Sequence, residues 1–139
     1  MACSKTLTQR LVLGMLVAAT PILVGCNSEK TPTTYAVKGK VIYKKLKAPV
    51  TQGTVMFQSV SEPRVLASGD LQADGTFELA SDLGEPGTVE GQHKVLIQPP
   101  YLESGQKAPF HKRYASFETS KLSATVAPSD DNQVTLEVE

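Results

Sequence analysis

From residue 35 onward, apolar side chains recur at every second position, the spacing of β-strands with one buried face. The first segment, 35–43, places Val37 and Val41 between Lys38 and Lys40. Further segments of the same kind, separated by short turn sequences, are 53–60, 65–71, 76–80, 93–97, 122–126 and 134–138. None of this region has a helical period. The pattern predicts an all-β chain, an antiparallel seven-stranded β-sandwich over residues 35–139.

A different pattern occupies the start of the chain, where apolar residues form one unbroken run. Lys5 and Arg10 precede the apolar stretch 11–19, which continues through Pro21 and Ile22. A positive segment followed by an apolar one is typical of a secretory signal. A membrane-spanning helix needs roughly 18 apolar residues, and this run is shorter and is broken at Pro21. We therefore predict that residues 1–25 are a cleaved signal peptide.

The end of this segment, Leu23-Val24-Gly25-Cys26, has the form of a bacterial lipobox. Cleavage would fall between Gly25 and Cys26, because the peptidase needs small side chains beside the scissile bond, and Cys26 would then receive the lipid. An ordinary secretory signal and an uncleaved anchor are the alternatives. The lipobox predicts a lipoprotein held by acyl chains on a membrane of the cell envelope, facing the periplasm or the cell exterior.

The composition of the chain after residue 25 predicts a tether and argues against a disulfide, a thiolate metal site and nucleic-acid binding. Residues 27–34 are polar and aperiodic, so 26–34 is interpreted as the lipidated cysteine and a flexible tether reaching at most about 28 Å. The other cysteine, Cys3, lies in the signal segment, which leaves the domain without a disulfide or thiolate metal site. With Lys5 and Arg10 removed, twelve basic residues face fourteen acidic ones, a balance that argues against nucleic-acid binding. We expect a monomer without cofactor.

Several fragments together resemble one protein family. These are Val37-Lys-Gly-Lys-Val41 with Tyr43, Gly53-Thr-Val-Met-Phe57, Ala73-Asp-Gly-Thr-Phe77, Gly91-Gln-His-Lys-Val95, and Arg113-Tyr114 through Thr119-Ser-Lys-Leu122. Their order and spacing are similar to planctomycete-type bacterial lipoproteins with a transthyretin-like or carboxypeptidase-regulatory-like domain. The resemblance implies a prealbumin-like or immunoglobulin-like sandwich and supplies no catalytic residues. One departure is His93, which stands where the family commonly has a tyrosine.

The segment 99–119 is the best candidate for an interaction site. A loop of about twenty residues in a compact domain is usually functional or disordered. The candidate contact residues are Tyr101, Phe110, His111, Arg113 and Phe117. The alternative is that its aromatic rings close one end of the sandwich, as we expect for Tyr114.

Other polar features are weaker candidates for chemistry. His93 shares a strand face with Val95, which favours a structural histidine, and the run 130–132 favours a turn over a calcium loop. The serines lie in none of the usual hydrolase motifs, so no catalytic residue is assigned. A lysine cluster near the tether, Lys38 to Lys47, is either a solvated strand face or a contact with anionic headgroups.

Three functions follow from these features. The first is a non-enzymatic envelope lipoprotein that contacts a protein or a polysaccharide. The second is an envelope hydrolase with a site in the 99–119 loop. The third is an accessory subunit that pairs with a partner through an edge strand.

Overall fold

A computed structural model describes residues 30–139, so the predicted signal peptide, Gly25 and Cys26 lie outside the described residues. This part of the chain is built from strands and one short 3-10 helix. The strands are β1 (Thr34–Tyr35), β2 (Val37–Tyr43), β3 (Thr54–Ser59), β4 (Leu66–Asp70), β5 (Thr76–Glu78), β6 (Ala80–Ser81), β7 (Thr88–Val89), β8 (Gly91–Gln98), β9 (Leu122–Val126) and β10 (Asn132–Val138). The 3-10 helix spans Lys112–Ala115. Residues 30–139 contain no helix with the length and apolarity needed to cross a membrane.

The strands form two main sheets and a small ribbon. The larger sheet has the order β6-β4-β3-β8-β9, and the smaller has the order β10-β2-β5. Strands β1 and β7 pair in a two-stranded ribbon. The alternation seen in the sequence is the reason for this arrangement, since each strand turns its apolar side chains inward and leaves lysines, threonines or glutamates in water.

The core lies between the two sheets. Val41 of the smaller sheet and Val55, Phe57 and Ile97 of the larger sheet are completely buried. The rings of Phe57 and Phe77 bridge the sheets with their centroids 6.2 Å apart. Offset rings at this distance pack favourably beyond the area they bury. The all-β sandwich-like class predicted from the sequence is therefore confirmed.

Two finer predictions about the sandwich are wrong. The described residues form ten strands instead of seven, because β1, β6 and β7 are two-residue strands too short to show any periodicity. The sheets are also not wholly antiparallel, because β10 pairs with β2 in parallel, with Val138 opposite Tyr43. A parallel pair shows the same alternation along each strand as an antiparallel pair, so the pattern could not distinguish them.

The direction of β2 separates two ends of the domain. The strand spans about 20 Å from Val37, just after the predicted tether, to Tyr43. We call the end near Val37 the tether end; it comprises Thr33–Ala36 and the turns 60–65, 82–91 and 127–131. We call the other the loop end; it comprises the turns 44–48 and 71–75, the segment 99–121 and Glu139. Hydrogen bonds hold the loop end together, from Lys44 N to Val138 O at 2.7 Å and from the Tyr43 hydroxyl to Pro109 O at 2.8 Å.

Candidate functional site

The segment 99–121 is fastened to the core at its centre. Pro99 and Pro100 end β8, because proline cannot donate the hydrogen bond that the next ladder position needs. Phe110 and Tyr114 are buried and meet edge to face, with centroids 6.4 Å apart. The Ser120 hydroxyl, also buried, donates to the Val95 carbonyl. The rings therefore close the loop end of the sandwich, which is the structural alternative raised for this segment.

Because of this packing, the predicted contact residues differ in how far they are exposed to solvent. Phe110 belongs to the core, so its assignment as an interaction residue is wrong: the ring is more stable among apolar side chains than in water. Tyr101 is 95% exposed, His111 is exposed, and Phe117 is half-buried. His111 Nδ1 accepts a hydrogen bond from the Arg113 amide at 3.2 Å, so it starts the 3-10 helix.

Arg113 connects this segment to the end of β10. Its guanidinium donates to the Tyr114 hydroxyl at 2.7 Å and to a Glu139 carboxylate oxygen at 3.0 Å. The hydrogen bond to Tyr114 and the charge of Glu139 raise the pKa of Arg113 above its ordinary value. Tyr114 also accepts a hydrogen bond from the Glu139 amide at 3.1 Å. Arg113 is consequently a fixed cation at the rim of the loop end.

His93 is a fully buried structural residue of β8. Its Nδ1 lies 3.0 Å from the Gly91 carbonyl and its Nε2 lies 3.2 Å from the Thr88 hydroxyl. A neutral ring with its proton on Nδ1 satisfies both contacts, donating to Gly91 and accepting from Thr88. Burial lowers the pKa of His93, and this outweighs the opposite effect of the Gly91 carbonyl. The interpretation of His93 as a structural histidine is thus supported by its contacts.

The buried His93 predicts a pH dependence of stability. Because its pKa is lowered in the folded protein, the unfolded chain takes up the proton first as pH falls below about 6.5. The stabilising contribution is complete above that pH and declines as pH falls, by at most about 1.4 kcal/mol per pH unit. Urea unfolding at pH 7.5 and at pH 5 should show a smaller pH dependence in His93→Gln than in the parent. His111→Gln is the matched control, and an equal change in both variants would contradict the prediction.

The remaining polar candidates have structural roles. Asn132 is buried, and its amide group bonds the backbone of Ala127 at 2.8 and 3.1 Å, while Asp130 accepts from the Ala36 amide at 3.3 Å. Residues 130–132 therefore form a turn that ties β10 to the start of β2. Within residues 30–139 no three His, Cys, Asp or Glu side chains are grouped so that they could hold a metal ion.

A depression of about 470 Å³ lies at the tether end, between Tyr35, Pro63 and Val89. Its charged groups are the carboxylates of Glu62 and Glu90, and Glu62 pairs with Arg64 at 3.3 Å. The hydroxyl-bearing residues Thr33 and Ser61 also line it, so carboxylate and hydroxyl groups share this part of the tether end.

Sequence reasoning missed one residue of the loop end. Leu46 lies in the turn after β2 and is 76% exposed, the most exposed aliphatic side chain among the large apolar residues of the described region. The sequence feature that could have identified it is a single leucine among lysines, Lys44-Lys45-Leu46-Lys47. Residues Lys44 to Lys47 are also at the end opposite the tether, so the expectation of one lysine cluster near the tether is wrong. Strand β2 separates them from Lys38 and Lys40, which lie along its exposed face.

Comparison of the chain with protein-family models, with curated proteins and with solved structures finds no match. The resemblance to transthyretin-like lipoproteins consequently rests on the sequence fragments alone.

Proposed function

We propose that this protein is a lipid-anchored, non-enzymatic β-sandwich of the bacterial cell envelope that contacts a protein or polysaccharide partner through its loop end. The observation that supports this most directly is the position of the 99–121 segment. It lies at the end of the domain opposite Thr33–Ala36, where the predicted tether joins. A domain anchored at one end presents the other end to the surrounding envelope.

The contact surface in this proposal is the exposed part of that segment. Tyr101 is almost fully exposed, and Arg113 is held in place by Tyr114 and Glu139. Exposed tyrosine and fixed arginine are the residue types that most often dominate binding energy at interfaces. Phe110 and Tyr114 give this surface a rigid base, so little conformational entropy is lost on binding.

Site-specific photo-cross-linking in the native bacterium tests this proposal. A photoreactive phenylalanine analogue at Tyr101 should yield a defined cross-linked product in the membrane fraction. The same analogue at Val60, a half-exposed apolar residue of the tether end, is the matched control and should yield none. Products of equal abundance from both positions, or from neither, would contradict a contact through the loop end.

The lipid anchor is tested by the variant Cys26→Ser. Removal of the thiol should abolish incorporation of labelled fatty acid and leave the precursor unprocessed, because acyl transfer requires the cysteine sulfur. Ser28→Ala is a control beside the site. Labelled lipid in Cys26→Ser would refute the anchor while leaving the cross-linking result interpretable.

A second candidate is pairing through β10. This seven-residue strand lies at the edge of the smaller sheet, and Gln133, Thr135 and Glu137 are exposed along it. An edge strand can accept an extended peptide through main-chain hydrogen bonds. A photoreactive residue at Thr135 distinguishes this mode, since it would capture the partner in place of Tyr101.

A further inference from the structure

The turn between β2 and the following segment combines three cations with an exposed leucine. The Lys47 amide donates to the Tyr43 carbonyl at 2.8 Å and closes the turn, which leaves Leu46 at its tip. Lys47 pairs with Glu137 at 2.7 Å. Among residues 30–139, neither Lys44 nor Lys45 has an ion-pair partner. Two lysines without an ion-pair partner therefore precede an apolar side chain that contacts water, and Lys44 lies near enough to Glu137 to help lower the pKa of that carboxyl.

An apolar depression lies directly beside this leucine. It has a volume of about 320 Å³ and is lined by Tyr43, Leu46 and Val138, with Lys45 and Glu139 at its edge. Val138 and Tyr43 are opposite each other at the last register position of the β2–β10 pair. The depression is therefore the open end of the core. Val138 is itself completely buried, so the apolar groups that face solvent here are Leu46 and the half-buried Tyr43.

Charge is distributed unequally between the two ends. At the tether end, one basic residue, Arg64, faces six acidic ones: Glu62, Asp82, Glu85, Glu90, Asp130 and Asp131. At the loop end, four acidic residues, Asp74, Glu103, Glu118 and Glu139, face seven basic ones: Lys44, Lys45, Lys47, Lys107, Lys112, Arg113 and Lys121. An anionic surface would attract the loop end and repel the tether end.

We propose that the turn 44–48 docks on an anionic lipid surface opposite the membrane that holds the Cys26 lipid, so that the protein bridges two bilayers. Leu46 enters the interface and Lys44 and Lys45 contact the headgroups. Apolar side chains flanked by lysines are the composition of segments that bind membrane interfaces. A polyanionic glycan would satisfy the lysines and give Leu46 no apolar phase to enter, so the leucine favours lipid.

The geometry favours the opposing bilayer over the bilayer that holds the anchor. To place Leu46 on its own membrane, the domain would have to invert and hold its tether end more than about 20 Å above the surface, since β2 alone has that length. Residues 27–34 reach at most about 28 Å when fully extended. Inversion would therefore need a nearly taut tether, whereas an opposing surface leaves the tether relaxed.

Vesicle clustering by the lipidated full-length protein tests this inference, which rests on the proposed lipid anchor. The protein is reconstituted in phosphatidylcholine donor vesicles, and flotation first establishes that it is anchored. Acceptor vesicles containing phosphatidylglycerol are then added, and their association is followed by energy transfer between labelled lipids. We expect association with these acceptors and none with phosphatidylcholine acceptors.

Matched variants identify the residues responsible. The double variant Lys44→Gln/Lys45→Gln should weaken association about thirtyfold, since each lysine contributes about 1 kcal/mol near an anionic surface and about 1.4 kcal/mol corresponds to tenfold. Leu46→Ser should weaken it about tenfold, since burial of a leucine side chain contributes about 1.5 kcal/mol or more and about 1.4 kcal/mol corresponds to tenfold. The control Lys38→Gln/Lys40→Gln removes the same charge from the exposed face of β2 and should leave association unchanged.

Three outcomes would overturn the inference. They are equal losses in the two lysine double variants, clustering of uncharged acceptors, and flotation without any clustering. Failure of flotation itself would instead refute the anchor, so the two proposals can fail separately.

Discussion

Replacement of Gly87 by alanine should destabilise the domain by about 3 kcal/mol or more. Gly87 has φ = 81°, in the left-handed region where a side chain costs about 1 kcal/mol or more. An added Cβ would also overlap the Tyr35 carbonyl and approach Ala36 Cα at 2.9 Å. Because both neighbours are backbone atoms, β1 would have to move away from β7, where Tyr35 pairs with Thr88. Relieving such an overlap costs a further 1–3 kcal/mol, roughly.

Gly84 supplies a matched control in the same turn. Its φ of 82° is nearly identical, yet an added Cβ would have nothing within 4 Å. Gly84→Ala should therefore lower the unfolding free energy only by the cost of a side chain in the left-handed backbone conformation, about 1 kcal/mol. Urea unfolding followed by circular dichroism measures both variants. Equal losses of unfolding free energy would show that close packing of Gly87 against β1 contributes nothing.

Truncation of Phe57 to alanine is expected to cost about 3–5 kcal/mol. The ring is completely buried and packs against Phe77 and, at 5.8 Å between centroids, against His93. Its removal leaves a cavity between the two sheets that neighbouring side chains fill only in part. A domain of this size has a total stability of roughly 5–15 kcal/mol, so the variant should unfold well below the parent in urea.

The controls for Phe57→Ala are two substitutions of aromatic residues at the loop end. Tyr101→Ala removes a ring that is 95% exposed and should change the unfolding free energy by no more than about 0.5 kcal/mol. Phe117→Ala, at a half-buried ring, should lie between the two variants. If Tyr101→Ala were as costly as Phe57→Ala, the sheet-to-sheet core would not be the main source of stability.

The seven segments predicted from alternation all correspond to observed strands, because burial of one face forces period two wherever a strand packs on a core. Segment 93–97 matches β8 within two residues at each end, and 122–126 matches β9. Alternation could not find β7, whose two residues, Thr88 and Val89, are both buried. Pairing of so short a strand is decided by its neighbour β1.

The residues of the candidate contact surface at the loop end could be predicted less well from the sequence. Tyr101 and Phe110 are both aromatic residues in one long loop, and composition treats them alike. Only packing separates them, since Phe110 meets Tyr114 over the core while Tyr101 extends into water. The lysines from Lys38 to Lys47 likewise form one cluster along the chain. The rise of β2 places Lys44 and Lys45 at the end opposite the tether.

The sequence by itself determined the all-β class and the inward faces of the strands, because each depends on residue type at a local spacing, and for the same reason it predicts an anchor at Cys26. The tertiary structure decided what depends on residues distant along the chain. It set the parallel pairing of β10 with β2, the burial of Phe110, and the separation of an acidic tether end from a basic loop end. Strand direction, strand register and the placement of charged residues arise from contacts between segments up to about a hundred residues apart. They therefore cannot be predicted from local periodicity.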